Sequence, residues 1–191
     1  MIRSVVLFAH IVGMLLLFIG LALEWISLES LRKSSVPGTG SRWVSVLRAV
    51  PRLAGPAVGL ILVSGIYLAA RVGVFDQAWV RVSFASMVLM GVLGGPVVRS
   101  RMRALQHAAS DDRDETAATL RRYASHPLLH ASLRTRVVVG LTIIYLMIGK
   151  PAFVESLVLI AIALALGAAI SLPQWRAHSS LTLLPNGRGR G

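Results

Sequence analysis

His10 is the residue of this chain best placed to do chemistry, because an ionisable imidazole is costly inside the apolar run that carries it. A histidine in such a setting can ligate a metal, orient a cofactor or hydrogen-bond a neighbouring helix. It lies on the order of 9 Å inside the expected first helix. Laying the later apolar runs antiparallel to it brings Tyr67, Tyr145 and Lys150 into the same half of a membrane. Ser83 and Ser86 fall at comparable depth, with Asp76, Arg81 and Glu155 above them. His10, Tyr67, Tyr145 and Lys150 therefore form a candidate cofactor-binding group, suited to a haem propionate, a quinone carbonyl or an anionic substrate. The same residues also fit a belt of interfacial tyrosines around one histidine bonded to a neighbouring helix.

Haem can be tested against the sequence. Bis-histidine ligation needs two imidazoles at one depth facing one cavity. The remaining histidines, His107, His126, His130 and His178, all fall on the opposite side from His10. That disfavours a b-type haem held within one chain and leaves open a single axial His10 ligand to haem or chlorin. No cofactor is required by any motif. The chain has no cysteine, which excludes disulfides, thiolate catalysis and Cys-based metal sites. No complete catalytic, nucleotide-binding or metal-ligand motif is present, so we expect no catalytic residues, no metal site and no enzyme.

The elements that must position these residues are membrane helices. The chain is 55% hydrophobic with a net charge of +12, and its apolar runs reach the roughly 20 residues that cross a bilayer. In a soluble protein that charge would suggest nucleic acid; here it is better read as loops facing anionic lipid. The expected fold is all-α, a polytopic bundle over residues 1–172 with five transmembrane helices at about 4–28, 51–72, 78–98, 133–149 and 152–172. A helical loop, 99–132, and a tail, 173–191, with a disordered end complete the chain. Pro51 suits a first helical turn, and Pro151 divides the last apolar stretch into two helices. The run from Val5 to Leu23 is longer than a signal-peptide core and lacks a small-x-small cleavage site, so it is expected to stay as a membrane helix.

Charge sets the orientation. Arg32, Lys33, Arg42, Arg48 and Arg52 lie between the first two helices, and Arg99 to Arg136 supply a larger group between the third and fourth. Arg176, Arg188 and Arg190 follow the fifth, leaving only Arg3, Arg71, Arg81 and Lys150 on the other side. The positive-inside rule then puts the N-terminus outside and the C-terminus in the cytoplasm. Glu24, near the inner end of the first helix, is expected to form an inner salt bridge with Arg48 or Arg52. Gly55 and Gly59, and Gly91 and Gly95, form two Gly-xxx-Gly pairs, expected to pack within the bundle first and to serve as association faces second. The loop from Arg99 to Ser132 is expected to carry a helix capped at Ser110 or Asp111, acidic first and basic last, either as a solvated connector or as a docking surface.

Three stretches carry a family resemblance: His10-Ile11-Val12-Gly13, Ser64-Gly65-Ile66-Tyr67-Leu68-Ala69 and Leu146-Met147-Ile148-Gly149-Lys150-Pro151. In these the chain resembles small bacterial predicted integral membrane proteins of unknown function that neighbour the copper-resistance D family. The resemblance implies a multi-helix protein of the bacterial inner membrane, with metal handling in the copper-resistance relatives. The chain lacks Cys and clustered Met or His pairs in its outer helices, so a copper site is not carried over. The functional expectation is a non-enzymatic accessory or scaffold subunit that packs against lipid and other membrane chains, as a homo-oligomer or hetero-complex, without nucleic acid. The alternative is a redox or cofactor-binding protein (haem, chlorin or quinone) using the pocket around His10, and a third reading is a small solute permease.

Overall fold

Long apolar runs satisfy their own backbone hydrogen bonds as helices, the arrangement that lipid demands. The computed structural model describes residues 1–33, 39–94 and 124–170. Five helices appear among them: α1, Ile2–Lys33; α2, Thr39–Val72; α3, Ala78–Gly94; α4, Pro127–Gly149; and α5, Phe153–Ala169. Three of these, α1, α2 and α4, are long and apolar enough to cross a membrane, while α3 and α5 are shorter apolar helices of 17 residues each. The expected loop helix, the tail, Gly95 and the end of the third helix lie outside the described residues.

Two helices begin earlier than their apolar runs suggested. Pro51 was expected to open α2, but the helix starts at Thr39 and carries Pro51 and Pro56 inside it. The extension is held by Val44, Leu47 and Val50, which recur on one helical face and are buried. Val44 and Leu47 pack in one cluster with Leu28 and Leu31, so α1 also continues past Leu28 to Lys33. Each proline withdraws one backbone donor, a loss that membrane helices tolerate. Helix α4 likewise starts at Pro127 rather than Leu133, with His126 as its N-cap; the His126 Nδ1 accepts from the Leu128 N–H at 3.2 Å.

Helices α1 and α2 pair along their length as an antiparallel hairpin, and α4 packs on both α3 and α5, which also touch each other, while reaching α1. Although α2 and α3 are consecutive, they make little direct contact. Tight connections join the helices at one end of the bundle. Gly73, at φ +72, turns the chain out of α2, and Lys150, at φ 47, closes α4 by donating its N–H to the Leu146 carbonyl. The Glu155 carboxylate accepts from the Ala152 N–H at 3.1 Å and so caps the start of α5. We refer to this as the Lys150 end and to the other as the Lys33 end.

The main core lies toward the Lys33 end, where Leu28, Leu47, Leu129 and Leu133 are almost wholly buried. Apolar side chains such as Phe8, Leu15, Ile19, Val63 and Val88 face outward instead. On a soluble protein so much exposed apolar surface would drive association, whereas lipid matches it.

Candidate functional site

The gap between α2 and α3 is a cavity of about 380 Å³ at the Lys150 end. Helical spacing explains which side chains reach it. On α1, Arg3, Leu7 and His10 recur at four and three residues and form one stripe. On α2 the stripe is Ile61, Gly65, Leu68 and Val72; on α3 it is Val80, Ser83, Phe84 and Met87; on α4 it is Ile143 and Met147. Lys150 completes the lining from the α4 C-terminus, and Trp79 from the start of α3. Ile61, Met87, Ile143 and Met147 also line a small apolar void of about 30 Å³ beneath, and thus form the floor. Phe75, from the α2–α3 connection, stacks on Phe84 at 6.1 Å between ring centroids and backs that wall.

His10 is held in one orientation. Its Nδ1 lies 2.9 Å from Ser64 Oγ and 3.1 Å from the Ile61 carbonyl oxygen. Ser64 donates its single hydroxyl proton to backbone carbonyls of its own helix, those of Leu60 and Ile61. With that proton committed, Nδ1 must carry the ring hydrogen and donate to Ser64 Oγ and Ile61. Nε2 is then a bare lone pair, with no hydrogen bond among the described residues. Gly65 makes room for the ring: a Cβ there would meet His10 Cε1 at 3.2 Å.

Ser83 adds a second unsatisfied group. It is 5% exposed, lines the cavity, and its Oγ has no hydrogen-bond partner among the described residues. An orphan buried hydroxyl costs about 1–3 kcal/mol unless something else supplies a partner. The neighbouring Ser86, also buried, is satisfied by donating to the Val82 carbonyl at 2.7 Å.

Charge is distributed unevenly. Arg3 and Lys150 are the charged residues of the lining, and no acidic side chain joins them. The acidic groups of this end are engaged elsewhere: Asp76 pairs with Arg81 at 2.6 Å, and Glu155 caps α5. The cavity is thus apolar in its walls, cationic at its mouth, and polar at His10 and Ser83.

Of the expected group, the structure brings His10 and Lys150 to the cavity and leaves out both tyrosines. Tyr145 is 57% exposed, and Tyr67, though half-buried, is absent from the lining. Tyr145 sits two residues from Ile143 and from Met147, about 200° around the helix, and Tyr67 sits one residue, about 100°, from Leu68. Common depth was legible in the sequence; helical phase was not. Arg3 and Ser64 were missed as site residues. The signal available was the spacing of Arg3 to Leu7 and His10, one stripe of one helix.

The expected inner salt bridge has a different partner. Glu24, whose side chain is 5% exposed, pairs with Arg136 of α4 at 2.6 Å, while Arg48 and Arg52 are exposed on α2. Arg136, inside the fourth helix in both the expected and the observed bounds, reaches across to α1. Its neighbour Arg134 lies over the Trp25 ring at 5.6 Å and donates to the Ile170 carbonyl. The Gly-xxx-Gly pairs also differ from expectation. Gly55, Gly59 and Gly91 are exposed, with nothing within 4 Å of a Cβ built on them, so they do not pack within the bundle. Gly13 and Gly167 occupy that role: added Cβ atoms would meet Ile61 Cγ1 at 2.9 Å and Thr135 Cα at 2.7 Å.

The three stretches that carried the resemblance converge here: His10 bonds to Ser64, Gly65 packs on His10, and Met147 and Lys150 line the same cavity. Long apolar helices and a lipid-matched exterior define the class as an integral membrane protein of helical-bundle type. Within that class, the chain belongs to the family of predicted integral membrane proteins DUF2269, whose model matches residues 4–151. No curated protein and no solved structure matches it.

Proposed function

We propose that this is a non-enzymatic membrane protein that binds a small lipophilic molecule in the cavity around His10. The observation that carries the reading is a bare His10 Nε2 in a largely apolar cavity whose wall also carries Ser83. Small-molecule sites typically combine apolar walls with a few convergent polar groups in about 300–1,000 Å³. At about 380 Å³ this cavity is at the small end of that range, which favours a quinone-like ring or a single chain over a tetrapyrrole. The Ser64–His10 contact could be read as a nucleophile and its base. Ser64 is absent from the cavity lining and its proton is committed to the backbone, which argues for binding rather than catalysis. The likeness to the neighbourhood of the copper-resistance D family brings no ligand set with it, since no group of three or more His, Cys, Asp or Glu comes together among the described residues.

The proposal includes five spans in a bacterial inner membrane, with the Lys150 end outside. The two 17-residue helices are each about 26 Å long, close to the roughly 30 Å of a hydrocarbon core. A reporter active only in the cytoplasm should work after Gly191 and fail near Asp76; the reverse would sink the orientation. Binding is tested by purifying the protein from native membranes and extracting it for mass spectrometry. One compound should be enriched near stoichiometrically and lost in His10→Leu and Ser83→Phe variants that still insert. An extract indistinguishable from bulk lipid for wild type and variants would remove the ligand-binding reading.

A second reading, the accessory or scaffold subunit, draws on the exposed Gly55 and Gly59, which leave one face of α2 open to close approach by another chain. Crosslinking in native membranes should then capture a homo-oligomer or a partner, weakened by Gly59→Leu.

A further inference from the structure

We infer that the occupant of the cavity is a single-chain anionic amphiphile with a hydroxyl close below its acidic head. The inference rests on the ligand-binding reading and adds to it the chemical class of the ligand.

The polar groups of the cavity are ordered by depth. Arg3 and Lys150 lie toward the end where α1 begins and α4 finishes, Ser83 and His10 lie further in, and Ile61, Met87 and Ile143 close the floor. Two cations without an acidic neighbour in the lining favour an anionic head at the mouth. Neither makes an ion pair among the described residues, in contrast to Arg81, Arg136, Arg32 and Lys33. A ligand carboxylate or phosphate would therefore meet uncommitted charge.

The next requirement comes from His10. A bare hydrocarbon beside it would leave Nε2 unused, whereas a ligand hydroxyl can donate to it. Below that level the lining is hydrocarbon and thioether, with two methionines that adapt to a flexible chain. The sequence of head, hydroxyl and chain matches cation, imidazole and apolar floor. The modest volume selects one chain over the two of a bilayer phospholipid.

Three probes separate these requirements: 1-oleoyl-glycerol-3-phosphate, which has all three parts; 1-oleoyl-glycerol, which lacks the phosphate; and oleyl phosphate, which lacks the glycerol hydroxyl and ester. Binding of each to the full chain in phosphatidylcholine nanodiscs is measured by native mass spectrometry and by the shift in Tm. We expect the complete amphiphile to bind at least tenfold tighter than 1-oleoyl-glycerol and several-fold tighter than oleyl phosphate. Arg3→Gln with Lys150→Gln should abolish the first preference and keep the second. His10→Phe, which removes Nε2, should do the converse. An apo Tm close to that of the wild type checks the folding of each variant. Equal affinity for 1-oleoyl-glycerol and its phosphate overturns the anionic class while leaving the cavity reading intact. Failure of all three probes to bind saturably overturns both. Loss of binding when phosphatidylglycerol replaces part of the phosphatidylcholine identifies a two-chain lipid as occupant and overturns the single-chain assignment.

Discussion

The two ends of the bundle treat buried polar groups in opposite ways. Toward the Lys33 end, Glu24 and Arg136 neutralise one another at 2.6 Å, His130 Nε2 donates to the Ala124 carbonyl at 2.9 Å, and Ser132 donates to the Leu93 carbonyl at 2.6 Å. Leucines fill the space around them. At the Lys150 end the two cations of the cavity lining, Arg3 and Lys150, lack carboxylate partners among the described residues, Ser83 is orphaned, and a cavity stands where α2 and α3 would otherwise touch. The Lys33 end is not perfect, since Ser27 Oγ and Arg134 Nε are also unsatisfied, but neither lines the cavity. Paired groups hold a fold together; unpaired ones beside open space are available to something else. The difference puts the paired, stabilising groups at one end and the uncommitted ones at the other.

The largest effect expected from breaking this division is at the ion pair. Arg136→Ala or Glu24→Gln leaves a buried charge without its partner, which costs about 3–5 kcal/mol. The apparent Tm in detergent should fall sharply, and the double variant Glu24→Leu with Arg136→Met should recover much of the loss. A Tm unchanged by either single substitution would mean that the pair is not what joins α1 to α4.

The glycines give an intermediate effect. Gly167→Ala forces a Cβ against the Thr135 backbone and should cost about 1–3 kcal/mol, read as a lower Tm. Gly59→Ala meets open space and should be neutral or raise stability by up to about 1 kcal/mol through helix propensity. Equal losses at the two positions would contradict the packing of α5 on α4.

The smallest effect is at Ser83. Replacing it by Ala removes an orphaned hydroxyl, so the ligand-free protein should be unchanged or stabilised by up to about 1 kcal/mol. The same substitution at Ser64 should destabilise by a comparable amount, because it takes away the acceptor that orients His10. Opposite signs at two serines on either side of one cavity would sharpen the contrast between a positioning group and a waiting one. A matching loss at both would place Ser83 in the packing rather than in the site.

By itself the sequence determined that this chain is helical and lives in a membrane, because run length and composition act locally and need no partner. It also placed His10 and Lys150 in one half of the bundle, since a helix converts residue number into height at a fixed rise. Tertiary structure alone decided the rest. Whether Tyr67 and Tyr145 joined them depended on helical phase relative to neighbours, and both turned away. Glu24 found Arg136 rather than Arg48 or Arg52 because α4 presents Arg136 to α1, whereas Arg48 and Arg52 lie on the exposed face of α2. Which glycines pack was likewise settled by the helix opposite each one: the Gly-xxx-Gly spacing of Gly55 and Gly59 is a property of one helix, whereas close approach is a property of two.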